Sequence, residues 1–182
     1  MFFSYIARNI STIFVTVLIL TVPIAKFSVP FEVKEQIQKQ ISIAVSENMA
    51  NSSKWEIEIP KINLKAEISE GTSVDVMNKY IGHFEETSEF MGNIGLAAHN
   101  RGYPVNYFKD LKLLEIGDKI YYRYFGKNKT YLVNKIKIIK DTNWEMLKNT
   151  EENKLTLITC VENEPEYRLC VQAIEIGGNY EI

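Results

Sequence analysis

From Trp55 onward the chain is written in short runs of β-branched and aromatic residues separated by turn residues. "DKIYYRYFGKNKTYLVNKIKIIK" reads as a long hairpin turning at "GKNK", because such runs favour strands and Gly and Asn favour the turn between them. "KLTLITC" and "YRLCVQAIEI" are two more strands, joined by the polar loop "VENEPE", and "IGLAAH" is a buried strand that runs into a histidine. "SVDVMNKY", "VNYFKDL" and "NWEMLK" are short helical or turn segments. Many short strands with few helices predict a mainly β body, a barrel or a sandwich. The aromatic cluster "YYRY" belongs to strand core and cross-strand pairing within it.

The N-terminal part obeys a different grammar. No charge falls between Arg8 and Lys26, and Ile, Val, Leu and Phe dominate the stretch. That predicts an uncleaved transmembrane anchor over residues 10–29, extended at the interfaces by its apolar flanks. Residues 1–9 are then cytoplasmic by the positive-inside rule, and the remainder faces outward. A polar stretch over residues 30–54 follows as an extracellular tether or short helix, and 55–182 is the globular body. The formal net charge of −2 over 182 residues gives no basic field of the kind nucleic-acid binders use, so nucleic acid is excluded as a partner. Two cysteines, Cys160 and Cys170, do not make a disulfide scaffold.

The chemistry-bearing residues are few. A cysteine nucleophile needs a proton donor for the leaving group and a positive group where the oxyanion develops. Cys160 ends a hydrophobic strand, His99 ends another and opens a Gly-containing loop, and Arg168 follows Cys160 across a hairpin connection. If the two C-terminal strands pair around "VENEPE", Arg168 falls opposite Cys160, and Cys170 opposite about residue 158. The two thiols are then out of register for a disulfide, and Cys170 packs as a small apolar group. On its own Cys160 reads first as a buried free thiol, and only His99, Arg168 and the strand before it turn the reading toward a nucleophile. His83, the other histidine, lies among Gly and acidic residues as a solvated or satisfied turn residue. Glu162, Glu164 and Glu166 surround the thiol in sequence, and their charge would favour its neutral form. The carboxylates show no EF-hand spacing, so no metal is expected.

Taken together, these residues resemble the sortases. "TLITC" is similar to the family's nucleophile strand, "LAAHN" to its histidine-bearing strand end, and "YRLC" to its arginine strand, in the family's order. "IPKINLKAEI" and "YFKDLKLLEIGDKIYY" also look like the sortase body, and the resemblance runs from Trp55 to about Ile176. Ala98 and Asn100 stand where many members have glycine and arginine. The resemblance implies a closed sortase-type β-barrel and a cysteine transpeptidase without a cofactor. Such an enzyme would cleave a Leu-Pro-x-Thr-Gly-like sorting signal of surface proteins between Thr and Gly. It would hold the acyl chain as a thioester and pass it to an amine of a peptidoglycan precursor or a pilin. Carried over, Cys160 is the nucleophile, His99 the general acid–base and Arg168 the oxyanion and substrate stabiliser. Thr159 would help shape the oxyanion site, while Trp144 either contacts the sorting signal or packs in the core. The expected place is the cell membrane, with the catalytic body on the cell-wall side of a Gram-positive bacterium.

Within the family, a class D-like or class A-like member is expected, since "KIKIIK" and "KLTLITC" are joined by too short a loop for the long helix of iron-uptake members. A pilin-polymerising enzyme, a cysteine peptidase that hydrolyses the same thioester, and a non-catalytic tethered binding module are the alternatives.

Overall fold

The computed structural model describes residues 30–52 and 54–179. The anchor expected over residues 10–29 lies outside the described residues. Among the described residues no helix is long and apolar enough to cross a membrane. The chain divides into two compact units, 1–40 and 41–182. Where a tether or short helix was expected, α1 (Phe31–Ser52) runs for 22 residues. It has no Gly or Pro and is rich in straight-chain Glu, Lys and Gln, which lose little rotamer freedom in a helix. The Pro30 carbonyl accepts from the Val33 and Lys34 amides at its start.

Eight strands build the body: β1 (Trp55–Ile59), β2 (Leu64–Glu70), β3 (Ile81–His83), β4 (Asn93–Ala97), β5 (Lys119–Tyr124), β6 (Lys127–Lys140), β7 (Lys154–Val161) and β8 (Glu164–Asn179). They close into a barrel in the order β1-β2-β3-β4-β7-β8-β6-β5, with β5 bonded back to β1. Closure settles the choice between barrel and sandwich and removes the exposed sheet edges that invite aggregation. β2–β3 and β4–β7 are parallel pairs. α2 (Val74–Met77) and a 3-10 turn at Glu145–Leu147 fall in segments expected to hold them, while in the third, residues 105–111, the chain makes a turn and the 3-10 piece Leu111–Leu113 starts only at its last residue.

Side chains that alternate along each strand fill the interior, among them Ile57, Leu96, Tyr122, Tyr131, Leu157 and Val171. In the "YYRY" run Tyr122 is buried and accepts a hydrogen bond from Trp55 Nε1 at 2.7 Å, while Tyr121 faces solvent.

Two turns sit elsewhere than the composition suggests. The β5–β6 hairpin turns at Phe125–Gly126, not at "GKNK", and Tyr124 pairs directly with Lys127. Both turn residues have positive φ, 44° and 87°, the combination that suits the right-handed twist of the flanking strands. Gly126 adopts it freely. Phe125 is held there by a hydrogen bond its amide donates to Lys54 O at 2.8 Å and an edge contact with Tyr124. The second case is "VENEPE". Only Glu162–Asn163 turn; Val161 pairs with Glu164, and a register shift after Cys160 brings Arg168 opposite it. The extra residues are absorbed on the β6 side, where Tyr167 pairs with Lys140 and Asp141 N donates to Glu166 O.

Candidate active site

β7 is buried on both faces until its end. Leu155 and Leu157 point into the barrel core, and Thr156 and Ile158 point outward, as alternation requires. Outside, the segment that links β6 to β7 covers them. Met146 and Leu147 pack on a satellite cluster of Ile139, Ile158 and Cys170, and Thr156 Oγ1 donates to Asn93 Oδ1 at 2.8 Å. This cover needs a glycine beneath it: a Cβ at Gly95 would lie 2.7 Å from the Leu147 side chain. The cover stops short of Cys160, the next outward residue, which is exposed.

The neighbouring strands bring the other two residues to this point. Ala97 lies beside Ile158 in the parallel β4–β7 pair, so His99, two residues on, comes level with Cys160. Across the antiparallel β7–β8 pair, Cys160 faces Arg168, and Ile158 faces Cys170. Residues side by side in adjacent strands share a face. His99, Cys160 and Arg168 therefore stand abreast on the outer face at the end of three consecutive strands. The paired positions also keep the thiols apart, and both cysteines are free.

Each partner is held by its surroundings. The Arg168 guanidinium donates from Nη1 to Pro165 O at 2.6 Å and Tyr167 O at 2.8 Å, and Nη2 lies 3.8 Å from Asp141 Oδ2. Thr159 points inward and donates Oγ1 to Ala98 O at 2.7 Å, tying the end of β4 to β7. Its hydroxyl is thus committed to the strand junction. His99 is only 7% exposed, and burial lowers its pKa below the ordinary imidazole value. Of the three acids around the thiol, Glu162 is paired with Arg101 at 3.0 Å, so they do not act as three bare charges.

Three residues that sequence reasoning did not single out as functional join the site. Asn100 donates its amide to Cys160 O, Arg101 reaches Glu162 and Asn163, and Tyr103 stacks on His99. Their only sequence signal is their position, directly after the candidate histidine in an exposed loop.

A cavity of about 280 Å³ lies beside the thiol, lined by Cys160, Thr159, Asn100, Phe108, Ile138 and Leu169 among others. Trp144 is elsewhere. It is 56% exposed, which removes the core-packing option. It meets Phe84 edge-on and lines a larger cavity, about 540 Å³, with Phe84, Thr87 and Leu147. His83 is satisfied rather than solvated, stands in a strand rather than a turn, and is not part of the site. It is 1% exposed in β3, with Nδ1 on Glu70 at 2.9 Å and Nε2 near Ser88 O and Thr87 Oγ1. Among the described residues no three His, Cys, Asp or Glu side chains gather to hold a metal.

The two thiols differ in reactivity as a result. Burial pushes the Cys170 pKa up to about 11, leaving roughly one thiolate in a thousand at pH 8, and it is sealed in the satellite cluster. Native protein treated with iodoacetamide at pH 8 is expected to take one carbamidomethyl group, on Cys160, and two once unfolded in guanidinium. Peptide mapping that finds Cys170 labelled first would contradict this geometry.

Comparison with known proteins agrees with the motifs. The Sortase domain family model matches residues 57–176. Sortase A of Bacillus anthracis is 27% identical over 146 residues, covering 80% of this chain and 62% of that protein. Sortase D of Bacillus subtilis is 33% identical over 107 residues, covering 57% of this chain and 52% of that protein. The chain thus spans less than two thirds of the length of either relative. Among solved structures, sortase C-1 of Streptococcus pneumoniae superposes with a TM-score of 0.64 at 29% identity, covering 68% of this chain and 66% of that one. With the matched region running from β1 into β8 and carrying His99, Cys160 and Arg168 abreast, the chain belongs to the sortase family.

Proposed function

We propose that this protein is a membrane-anchored cysteine transpeptidase. It cleaves a Leu-Pro-x-Thr-Gly-like sorting signal on surface proteins between Thr and Gly, then joins the acyl part to an amine of the cell wall. The observation that carries the reading is the exposed thiol at the end of an otherwise buried strand, flanked on either side by an imidazole and a guanidinium.

Chemically, Cys160 sulfur attacks the threonine carbonyl and a C–S bond forms. His99, whose pKa its burial lowers, takes up the proton the sulfhydryl gives up. It returns that proton to the departing glycine nitrogen as the C–N bond breaks. The acceptor amine then attacks the thioester, loses its proton to His99, and the sulfur leaves with the proton restored. Arg168 meets the negative charge on oxygen in both tetrahedral intermediates. The cavity lined by Trp144, Phe84 and Leu147 together with Thr87, Glu86 and Asn149 offers apolar surface for part of the peptide. The span over residues 10–29 would hold the enzyme at the cell membrane, with the body on the cell-wall side.

The test is a panel of sorting-signal peptides incubated with the full chain in detergent, with and without an amine such as triglycine. One motif is expected to give a covalent acyl-enzyme by intact mass and a ligated product when amine is added. Release of free acid at the same rate whether or not amine is present would favour the hydrolase. No acyl-enzyme with any peptide would end the catalytic reading.

A further inference from the structure

The loop after β4 is fastened around the candidate histidine from several sides. Tyr103 lies flat on the His99 ring, with centroids 3.5 Å apart and planes 8° apart. Arg101 crosses to the β7–β8 turn, donating Nη1 to Glu162 Oε1 at 3.0 Å and Nη2 to Asn163 Oδ1 at 3.1 Å. Asn100 donates to the carbonyl of Cys160 itself. Asn106 Nδ2 closes the loop on Tyr103 O at 2.8 Å, and Phe108 N donates to His99 O at 3.1 Å. A ring that is 42% exposed on a surface loop does little for the core, so its apolar face is committed to the imidazole.

The histidine beneath it has an unusual feature. Its Nε2 is buried and has no hydrogen-bond partner. An unpaired buried nitrogen is costly, and a catalytic role is one of the few reasons a native structure keeps one. Such a nitrogen stays available only if water is kept from it and the ring plane is held.

We propose that Tyr103 is a positioning residue for the histidine: its ring covers one face of the imidazole and fixes the ring plane, while Arg101 pins the loop to the Glu162–Asn163 turn so that imidazole and sulfur keep their spacing. This rests on the transpeptidase reading, since it gives the imidazole a task that needs a fixed position. The charged and titratable groups near the ring include the Tyr103 phenol stacked on it, Cys160 level with it on β7, Arg168 one strand further on β8, the Arg101–Glu162 pair between loop and turn, and Lys109 and Lys112 on the cavity beside the thiol. Burial, not charge, is what lowers the His99 pKa, so thinning the cover should raise it.

The experiment is an NMR pH titration of the two imidazole side chains in the full chain, with His99 assigned by a His99→Gln variant. It is run on wild type, Tyr103→Phe, Tyr103→Ala and Arg101→Gln, alongside turnover of the acyl-donating sorting-signal peptide. Tyr103→Ala is expected to move the His99 midpoint upward and to lower kcat roughly tenfold with little change in KM. Tyr103→Phe, which keeps the ring, should match wild type in both, and Arg101→Gln should move both in the direction of Tyr103→Ala by less. Unchanged His99 titration and kcat in Tyr103→Ala would overturn the proposal, as would Tyr103→Phe behaving like Tyr103→Ala. His83, buried in the barrel, reports on folding in the same spectra, and a loss of its native signal in Tyr103→Ala shifts the decision to Arg101→Gln. The titration needs no substrate, so it reads the loop even if the peptide panel fails. Conversely, an active enzyme with an unmoved titration removes this proposal alone.

Discussion

Replacing Cys160 by alanine is expected to abolish the acyl-enzyme and lower kcat/KM for signal cleavage by at least about 10⁴-fold, or some 5 kcal/mol of barrier. The thiol is exposed at a strand end, so the change leaves no core cavity, and the unfolding midpoint should hold. Arg168→Ala is expected to cost less, about 10²–10³-fold, the usual loss for one oxyanion donor. Arg168→Lys should recover only part of that, because one ammonium cannot hold Pro165 O and Tyr167 O, both bonded by Nη1, and also supply the further donors of the guanidinium's planar fork. Intact-mass spectrometry for the acyl adduct, with a fluorogenic peptide for the rate, measures all three. A Cys160→Ala enzyme that still cleaves within tenfold of wild type would move the nucleophile elsewhere. An Arg168→Ala loss as large as that of Cys160→Ala would point instead to collapse of the β8 bulge.

How far the sequence carried this site depended on how local each relation is. The facing of Cys160 and Arg168 could be counted along one hairpin. Even so, "VENEPE" hid its real shape, since a two-residue turn and a bulge occupy what reads as one polar loop. In the same way "GKNK" holds the residues that ordinarily make turns, yet the chain turns one step earlier because Phe125 accepts a positive φ. His99 becoming level with Cys160 is a different matter. It follows from the parallel pairing of β4 with β7, two strands about sixty residues apart in sequence, and pattern alone does not set such a register. Only the family motifs linked the two. The loop contacts of Asn100, Arg101 and Tyr103 were not legible at all, because nothing in a polar loop's composition says which carbonyl or ring it will meet.

The least legible feature predicts the second large effect. Lys129 looks like one of many turn-proximal lysines, yet it is 1% exposed. Its Nζ lies 3.0 Å from Glu175 Oε2 and 4.4 Å from the Phe90 ring centre. Desolvation lowers its pKa and the Glu175 interaction opposes that. Glu175→Ala removes the opposing partner and leaves a buried charge, so it is expected to destabilise the body by about 3–5 kcal/mol, or roughly 10–15 °C in Tm. The pH dependence has a definite sign. With its folded pKa below the unfolded value of 10.5, Lys129 is deprotonated in the folded state sooner than in the unfolded chain, so unfolding takes up a proton and stability rises with pH across that window. Without Glu175 the folded pKa falls further and the window widens toward neutrality. The Glu175→Ala deficit should therefore be largest near pH 7 and shrink as pH approaches 10.5. The double variant Lys129→Met/Glu175→Gln should lose much less than Glu175→Ala, because Met keeps the stem's packing without the charge. Urea unfolding curves at several pH values measure these differences, and a Glu175→Ala deficit that stays flat from pH 7 to 10 would show that lysine protonation is not its cause.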